Sequence, residues 1–365
     1  MNILFIVPYP LEKAPSQRFR IEQFFPLLDK ENIQYTTAPF IDAATWEILY
    51  GKGSQLKKVK GILGGYLRRL KLILFETGKY DVFVIHREAA PLGPPIFEWI
   101  LAKILKKKYI FDYDDAIWMP KISSANRFAI YLRCFWKTKF LCRWAYINTP
   151  GNHFLEDYAK RSGAKKTILL PTVVDAEVRY RPATHKKPNE VLKIGWTGSH
   201  STLEYLETIK NVLLELKKTH DFKLYVIADV PPSKELEHEF IPWNATSEIE
   251  QLKLFDIGIM PLLKESFGEG KCGFKLIQYM AVGIPGIASY TRANAHIVDH
   301  AVNGYICNTD EEWLATLKGL IEDKNKRDEM GRLAREKVVT FYSLKSQEHV
   351  FLDALRQCQA ANTPT

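Results

Sequence analysis

The feature that most constrains this chain is a recurrence of short apolar runs separated by stretches of helical period. The first half carries NILFIVP (2–8), YDVFVIH (80–86), KYIFDYDD (108–115), AYINT (145–149) and TILLPT (167–172). The second half carries LKIGWTG (192–198), KLYVIAD (223–229), DIGIMPL (256–262) and IPGIAS (284–289). Runs this short and this rich in Ile, Val, Leu and Phe read as strands buried on both faces. Between them, RIEQFFPLLDK (20–30) and TLEYLETIKNVLLELKK (202–218) repeat their apolar residues at helical spacing. Alternation of this kind predicts parallel sheets covered by helices on both sides, an α/β class. A length of 365 residues exceeds what one core usually fills, so two domains are expected. The charged, proline-bearing stretch RYRPATHKKPNE (179–190) lacks any apolar period and is the predicted linker. The expected organisation is a first domain over 1–183, a second over 184–342, and a last amphipathic helix within 343–365. Two doubly wound domains facing a cleft would bring ligands to the carboxyl ends of their strands.

Composition narrows the function classes. Hydrophobic residues make up 46% of the chain, yet no stretch reaches the length of an uncharged membrane span. The opening MNILFIVPYP reads as a buried strand and not as a signal peptide. Five scattered cysteines (Cys134, Cys142, Cys272, Cys307 and Cys358) form neither a metal motif nor a disulfide framework, which predicts a cytoplasmic protein. The net charge is +9, and part of it is concentrated. Between Gly51 and Phe75 there are seven basic residues and no acid: Lys52, Lys57, Lys58, Lys60, Arg68, Arg69 and Lys71. They alternate with Leu56, Val59, Ile62, Leu63, Tyr66, Leu67, Leu70 and Leu72, a basic amphipathic pattern suited to an anionic membrane surface. Another anion, or a solvated helix face containing Gly61, Gly64 and Gly65, fits the same pattern. A nucleic acid partner is not expected.

The densest chemical signal lies at 256–285. A buried run, DIGIMPL, is followed by a loop with Gly268, Gly270, Lys271 and Gly273, which opens into the helix FKLIQYMAVG ending at Gly283 and Pro285. Strand, basic glycine loop and helix N-terminus together suit a phosphate. Gly268 to Gly273 also spells GxGxxG, but Lys264–Phe267 separate the glycines from their strand, and the following strand does not end in an acid. A P-loop is excluded because Cys272 follows Lys271 where Ser or Thr is required.

This stretch resembles the donor-site helix of the group 1 family of retaining glycosyltransferases, which are built from two Rossmann-like domains in the GT-B architecture. The resemblance rests on the helix ending Met280-Ala-x-Gly283-x-Pro285. It implies that a nucleotide-sugar diphosphate sits at the helix N-terminus, near Lys271, Gly273, Phe274 and Lys275. The family has two glutamates with seven residues between them, and those positions here hold Gly270 and Gln278. Gln278 would then reach a ribose hydroxyl, while Glu269 or Glu265 would stand in for the lost glutamate. The turn Gly198-Ser199, before a helix capped by Ser201 or Thr202, would add phosphate contacts. The usual Arg and Lys of that region are missing.

On the acceptor side, FDYDDAIWMP (111–120) concentrates acid at a strand end. Asp112-Tyr113-Asp114 matches the Asp-x-Asp metal motif of the other major glycosyltransferase architecture, which however has a single sheet. Aligned with the His-Asp that often ends this strand in group 1 enzymes, Asp114 takes the histidine place and Asp115 the aspartate place. Asp114 is thereby the candidate to orient or deprotonate the acceptor, unless it only caps a turn. Arg18, Arg20 and Arg87 follow predicted strands and are candidates to clamp an anionic group. His86 reads either as a core histidine or as part of the site.

The sequence therefore predicts a cytoplasmic enzyme, peripheral on the inner face of a membrane and independent of metal or other cofactor. It would move a sugar from a nucleotide-diphosphate donor to a glycan or lipid-linked hydroxyl. A nucleotide-sugar epimerase on the same fold, or a non-catalytic sugar-nucleotide binder, remains open.

Overall fold

A computed structural model describes residues 1–49, 53–119, 132–182, 191–263 and 266–363. The chain forms two compact units, Met1–Thr172 with Gln347–Thr365, and Val173–Ser346.

The first unit is built on a sheet of β1 (Asn2–Val7), β2 (Gln34–Pro39), β3 (Val82–His86), β4 (Tyr109–Tyr113) and β5 (Ile147–Pro150). Its order is β2-β1-β3-β4-β5, and every pairing is parallel. All side chains of β3, β4 and β5 are buried, as their continuous apolar runs predict, whereas the edge strand β2 is half-exposed. The run at 167–172 is not a strand. It lies extended beside β5, with Ile168 N–H donating to Asn148 O at 2.9 Å and Leu170 N–H to Pro150 O at 3.1 Å. The long helix Leu344–Asn362 returns residues 347–362 to this unit. There Phe351 stacks on Phe24 with centroids 4.2 Å apart, and the Asn362 amide donates to Lys108 O and Asp81 O.

The second unit holds β6 (Leu192–Thr197), β7 (Phe222–Ala228), β8 (Glu239–Pro242), β9 (Ile257–Met260), β10 (Gly286–Ser289) and β11 (Gly304–Cys307). The order is β11-β10-β9-β6-β7-β8, again wholly parallel. Its core joins Ile194, Trp196, Val226, Ile257, Ile259 and Ile287 to the helices that cover them. The chain passes into this unit at Val173, eleven residues earlier than the sequence boundary at 183/184. The cause is hydrogen bonding: Val174 N–H donates to Tyr342 O at 3.0 Å, and Leu344 N–H to Val174 O at 2.9 Å. Most of the predicted linker, residues 183–190, lies outside the described residues.

All strands within a sheet are parallel, so the loops leaving their carboxyl ends gather on one edge of each sheet. Both candidate sites are built on those edges.

Candidate functional site

The first cluster lies on the first unit. Parallel pairing puts His86 of β3 directly beside Asp112 of β4, so both side chains leave the sheet on one face. Asp112 is buried and accepts from His86 Nδ1 at 2.8 Å, Thr149 Oγ1 at 2.9 Å and the Arg20 guanidinium. Arg20 also donates to the carbonyls of Thr149 and Leu170, and only 1% of it is exposed. His86 Nε2 lies 3.0 Å from Ser16 Oγ, and Ser16 donates to Asp114 Oδ1 at 2.7 Å. Arg87 grips that same oxygen through Nε at 3.0 Å and an NH2 group at 2.7 Å. The result is one hydrogen-bonded chain, Asp112–His86–Ser16–Asp114–Arg87.

Electrostatics assigns different duties within the chain. Burial opposes ionisation of both carboxyls, but Asp112 beside Arg20 and His86, and Asp114 beside Arg87, are each held below the usual carboxylate range. Arg87 adopts a left-handed backbone, φ 62°, with its N–H donating to Asp112 O at 2.7 Å. Such a conformation costs about 1–3 kcal/mol in a non-glycine residue and tends to persist at functional sites.

Arg20 corrects the sequence reading. Its guanidinium is sealed inside the unit and fully occupied, so it cannot clamp a ligand. Asp115 closes a turn, its carboxylate accepting from Ala116 N–H at 3.0 Å, with Arg87 3.9 Å away. Arg18 lies over the Phe19 ring, 5.1 Å from its centroid. Ser16, which had no place in the sequence reading, joins His86 to Asp114.

The second cluster lies on the second unit, where β6 and the helix Phe274–Ala281 converge. Tyr279 ties them together: its hydroxyl accepts from Thr197 N–H at 3.0 Å and donates to Ile259 O at 3.4 Å. Gly273 stands just before the helix in a left-handed conformation, φ 61°, and a Cβ there would fall 2.3 Å from Ile297. Only glycine fits that position. No side-chain hydrogen bond caps the start of the helix at Gly273.

Lys275, in that first turn, places its ammonium 4.3 Å from the centre of the Trp196 ring. Among the described residues no carboxylate pairs with it. Burial, and secondarily the charge of Lys271, lower its pKa from 10.5 to about 7. The ring of Trp196 packs under Gly198, where a Cβ would lie 2.1 Å from the indole. The Gly198-Ser199 turn and Lys275 are therefore neighbours through one tryptophan. Ser199 N–H donates to Thr202 Oγ1 at 3.0 Å, so its amide is already engaged. Beside Gly273, Asn294 Oδ1 is buried with no hydrogen-bond partner among the described residues.

Two expectations for this unit are corrected. Gln278 is buried and donates to the Tyr180 hydroxyl at 2.9 Å, which turns it away from any ribose. Glu269 spends one oxygen on Arg292 N–H, 3.0 Å away, capping the helix Arg292–Ile297. Lys264 and Glu265 lie outside the described residues. Phe274 and Lys271 are half-buried on the loop and helix where they were expected. Trp196 and Asn294 were missed because a tryptophan in a strand and an asparagine in a short helix read as packing.

A family model described as Glycosyl transferases group 1 matches residues 192–323, which include this second cluster. No curated protein matches the chain in sequence. Among solved structures, sucrose-phosphate synthase from Thermosynechococcus elongatus superposes with a TM-score of 0.72 at 13% identity, over 99% of each chain. Anabaena HepE in complex with UDP-glucose superposes with a TM-score of 0.69 at 14% identity, over 98% of this chain and 100% of that one. TarM reaches 0.55 at 10% identity, covering 80% of this chain and 58% of its own. At such identities the likeness establishes the GT-B fold, and within it residues 192–323 are similar to the group 1 glycosyltransferases.

Proposed function

We propose that the protein is a retaining, metal-independent glycosyltransferase of the hexosyl type. It would move a sugar from a nucleotide-diphosphate donor to a hydroxyl of a glycan or lipid-linked acceptor. Its setting would be cell-surface polysaccharide or glycolipid synthesis, in the cytoplasm against an anionic membrane surface. One observation carries the donor half: Lys275 lies over Trp196 at a helix N-terminus without a side-chain cap and, among the described residues, has no carboxylate partner. A half-buried ammonium in that position is an anion site awaiting its anion. HepE, solved with UDP-glucose, supports a nucleotide-sugar as the ligand. As the sugar's bond to the diphosphate breaks, Lys275, Lys271 and the helix amides would stabilise the charge left on the nucleotide. That service is often performed by a divalent ion, so full activity in EDTA is expected.

The acceptor would bind at Ser16 and Asp114. A carboxylate held by Arg87 and a serine is a weak base at neutral pH, so Asp114 orients the acceptor hydroxyl and does not deprotonate it. Asp114→Asn should lower transfer roughly ten- to a hundredfold, the worth of one charge-assisted hydrogen bond. Donor affinity by titration calorimetry should stay unchanged. A parallel loss of donor affinity and a requirement for manganese would instead assign the Asp-x-Asp carboxylates to metal.

The absent family glutamates, with Gln278 and Glu269 turned to internal bonds, favour one second reading: a sugar-nucleotide binder without transfer activity. A nucleoside diphosphate panel, read by thermal stabilisation, tests the donor site, since a ligand of the folded state raises the melting temperature. Incubation with UDP-glucose alone, then with membrane lipid extract added, separates the classes. Conversion of the donor alone indicates an epimerase, and glycosylated lipid a transferase. An intact donor under both conditions indicates a binder. Retention is read from the anomeric configuration of the product by NMR.

A further inference from the structure

The segment from Gly51 to Phe75 interleaves charge with leucine; Lys52 lies outside the described residues, and from Gly53 onward the fold sorts the two. Gln55–Lys71 is a helix despite its three glycines, and the glycines explain how it docks. A Cβ on Gly61 would fall 2.2 Å from Thr45, and one on Gly65 would fall 2.7 Å from Phe40 O. The helix therefore lies on the first unit by its smallest residues, one turn apart. Arg69, the next residue along that line, is buried and donates to Val7 O, Ala38 O and Ala89 O at 2.7–2.8 Å. The opposite face shows Leu56, Val59, Leu63, Leu67, Leu70 and Leu74 to solvent, between 42% and 87% exposed. That is the reverse of an ordinary surface helix, which buries its leucines. A helix of this length carries the stripe for roughly 25 Å at about 1.5 Å per residue. Lys57, Lys60 and Lys71 are exposed along one edge of it.

We infer that the Gln55–Lys71 helix is a bilayer anchor that holds the first unit to an anionic membrane by inserting its leucine face. This deepens the membrane partner proposed above and is independent of the donor chemistry. The occupant is argued from charge: the cations beside the stripe match anionic headgroups and would repel the same edge of a second copy. Arg69 is unavailable to lipid, and Arg68 is paired with Asp42 at 2.9 Å, so less charge faces outward than the sequence count suggests. Apolar insertion, which salt does not screen, then becomes the main attachment. Among the described residues no helix is long and apolar enough to cross a membrane, so the helix lies in the interface.

The full chain is tested by co-sedimentation with phosphatidylcholine vesicles, with and without phosphatidylglycerol, at about 0.1 M and about 1 M salt. The parent should bind the anionic vesicles and keep most of that binding at high salt. Leu63→Gln, Leu67→Gln and Leu74→Gln combined should lose at least about a hundredfold at both salts. Lys57→Gln, Lys60→Gln and Lys71→Gln combined should lose about tenfold at low salt and nothing more at high salt. All six positions are exposed, so folding and UDP-glucose binding should be unaffected, and a failed donor site would show separately. The inference is overturned by a leucine variant that binds like the parent, by a parent that ignores both vesicles, or by complete release at high salt. It is equally overturned if the parent sediments as a dimer and the leucine variant as a monomer, because the occupant is then a second copy.

Discussion

Replacing Lys275 by Met should weaken nucleotide-sugar binding by about 2–3 kcal/mol, or roughly 30- to 150-fold, while making the free protein more stable. The two opposite signs share one cause. The fold holds the Lys275 ammonium partly out of water over Trp196, with no carboxylate beside it among the described residues, and this burial lowers its pKa to about 7. An unfolded chain keeps the proton up to the ordinary lysine value of 10.5. Below pH 7 both states are charged, and the cost of burying the ammonium is fully present. It is relieved as pH rises from 7 toward 10.5, where the unfolded chain alone still carries the proton. Met removes that cost, so the gain in melting temperature should be largest at pH 6 and fade by pH 9. Binding has its own window. A diphosphate beside the ammonium raises the pKa in the complex, so above pH 7 the complex must take up a proton that the free protein lacks. Affinity for UDP-glucose, whose diphosphate does not titrate in this range, should be flat below pH 7 and fall up to about tenfold per unit above it. Lys275→Met should lose that slope, and proton uptake measured in two buffers should vanish with it. A variant that binds UDP-glucose like the parent with the same pH slope would remove the diphosphate from this helix.

How much of this was legible in the sequence follows from where each residue sits. Eight of the nine apolar runs became strands because strands buried on both faces must be apolar throughout. The strands that the sequence did not reveal, β2, β8 and β11, are all sheet edges. Their side chains meet helix on one side and solvent on the other, so QYTTAP and EFIP carry no continuous apolar run. The one excess strand, at 167–172, has the composition of a buried run, but it lies along an edge with too few ladder bonds to count as a strand. The basic helix at 55–71 was weakened on paper by Gly61 and Gly65, whose lost side chains are the condition for its close docking.

The site was legible where it is local. Loop, glycine and lysine at 270–275 are contiguous in sequence, and so is the helix they precede. The acceptor cluster is not local. Ser16 comes from the helix Pro15–Arg20 after β1, and His86 and Asp112 from the ends of β3 and β4, so only the strand order β1-β3-β4 makes them neighbours. Gln278 and Arg20 look like ligand-binding residues by type. Each is instead spent inside its own unit, on Tyr180 and on Asp112, and residue type alone does not reveal a partner some hundred positions away.

Arg20 gives this distinction its strongest test. Arg20→Met should destabilise the first unit by about 3–5 kcal/mol, because Asp112 would remain buried with its main countercharge gone. For a unit of this size that is roughly a 6–20 °C fall in melting temperature. Asp112→Asn should cost a similar amount, since it strands the buried guanidinium and removes the carboxylate that fixes His86 Nδ1. Replacing both partners with apolar residues, Arg20→Met with Asp112→Leu, should recover much of either loss, because no unpaired charge is left inside. The pH dependence carries the same signature. Asp112 is held below its ordinary pKa of 3.8, so its stabilisation is present above that value and is lost as pH falls through the folded-state pKa. Acid unfolding of the parent should therefore steepen below about pH 4, and Asp112→Asn should flatten it. Had Arg20 been the anion clamp that its sequence position suggests, Arg20→Met would leave the melting temperature in place and lower ligand affinity. With Arg20 sealed in the network the reverse is expected: a large loss of stability, an unchanged Kd for UDP-glucose in the second unit, and partial rescue by the double substitution.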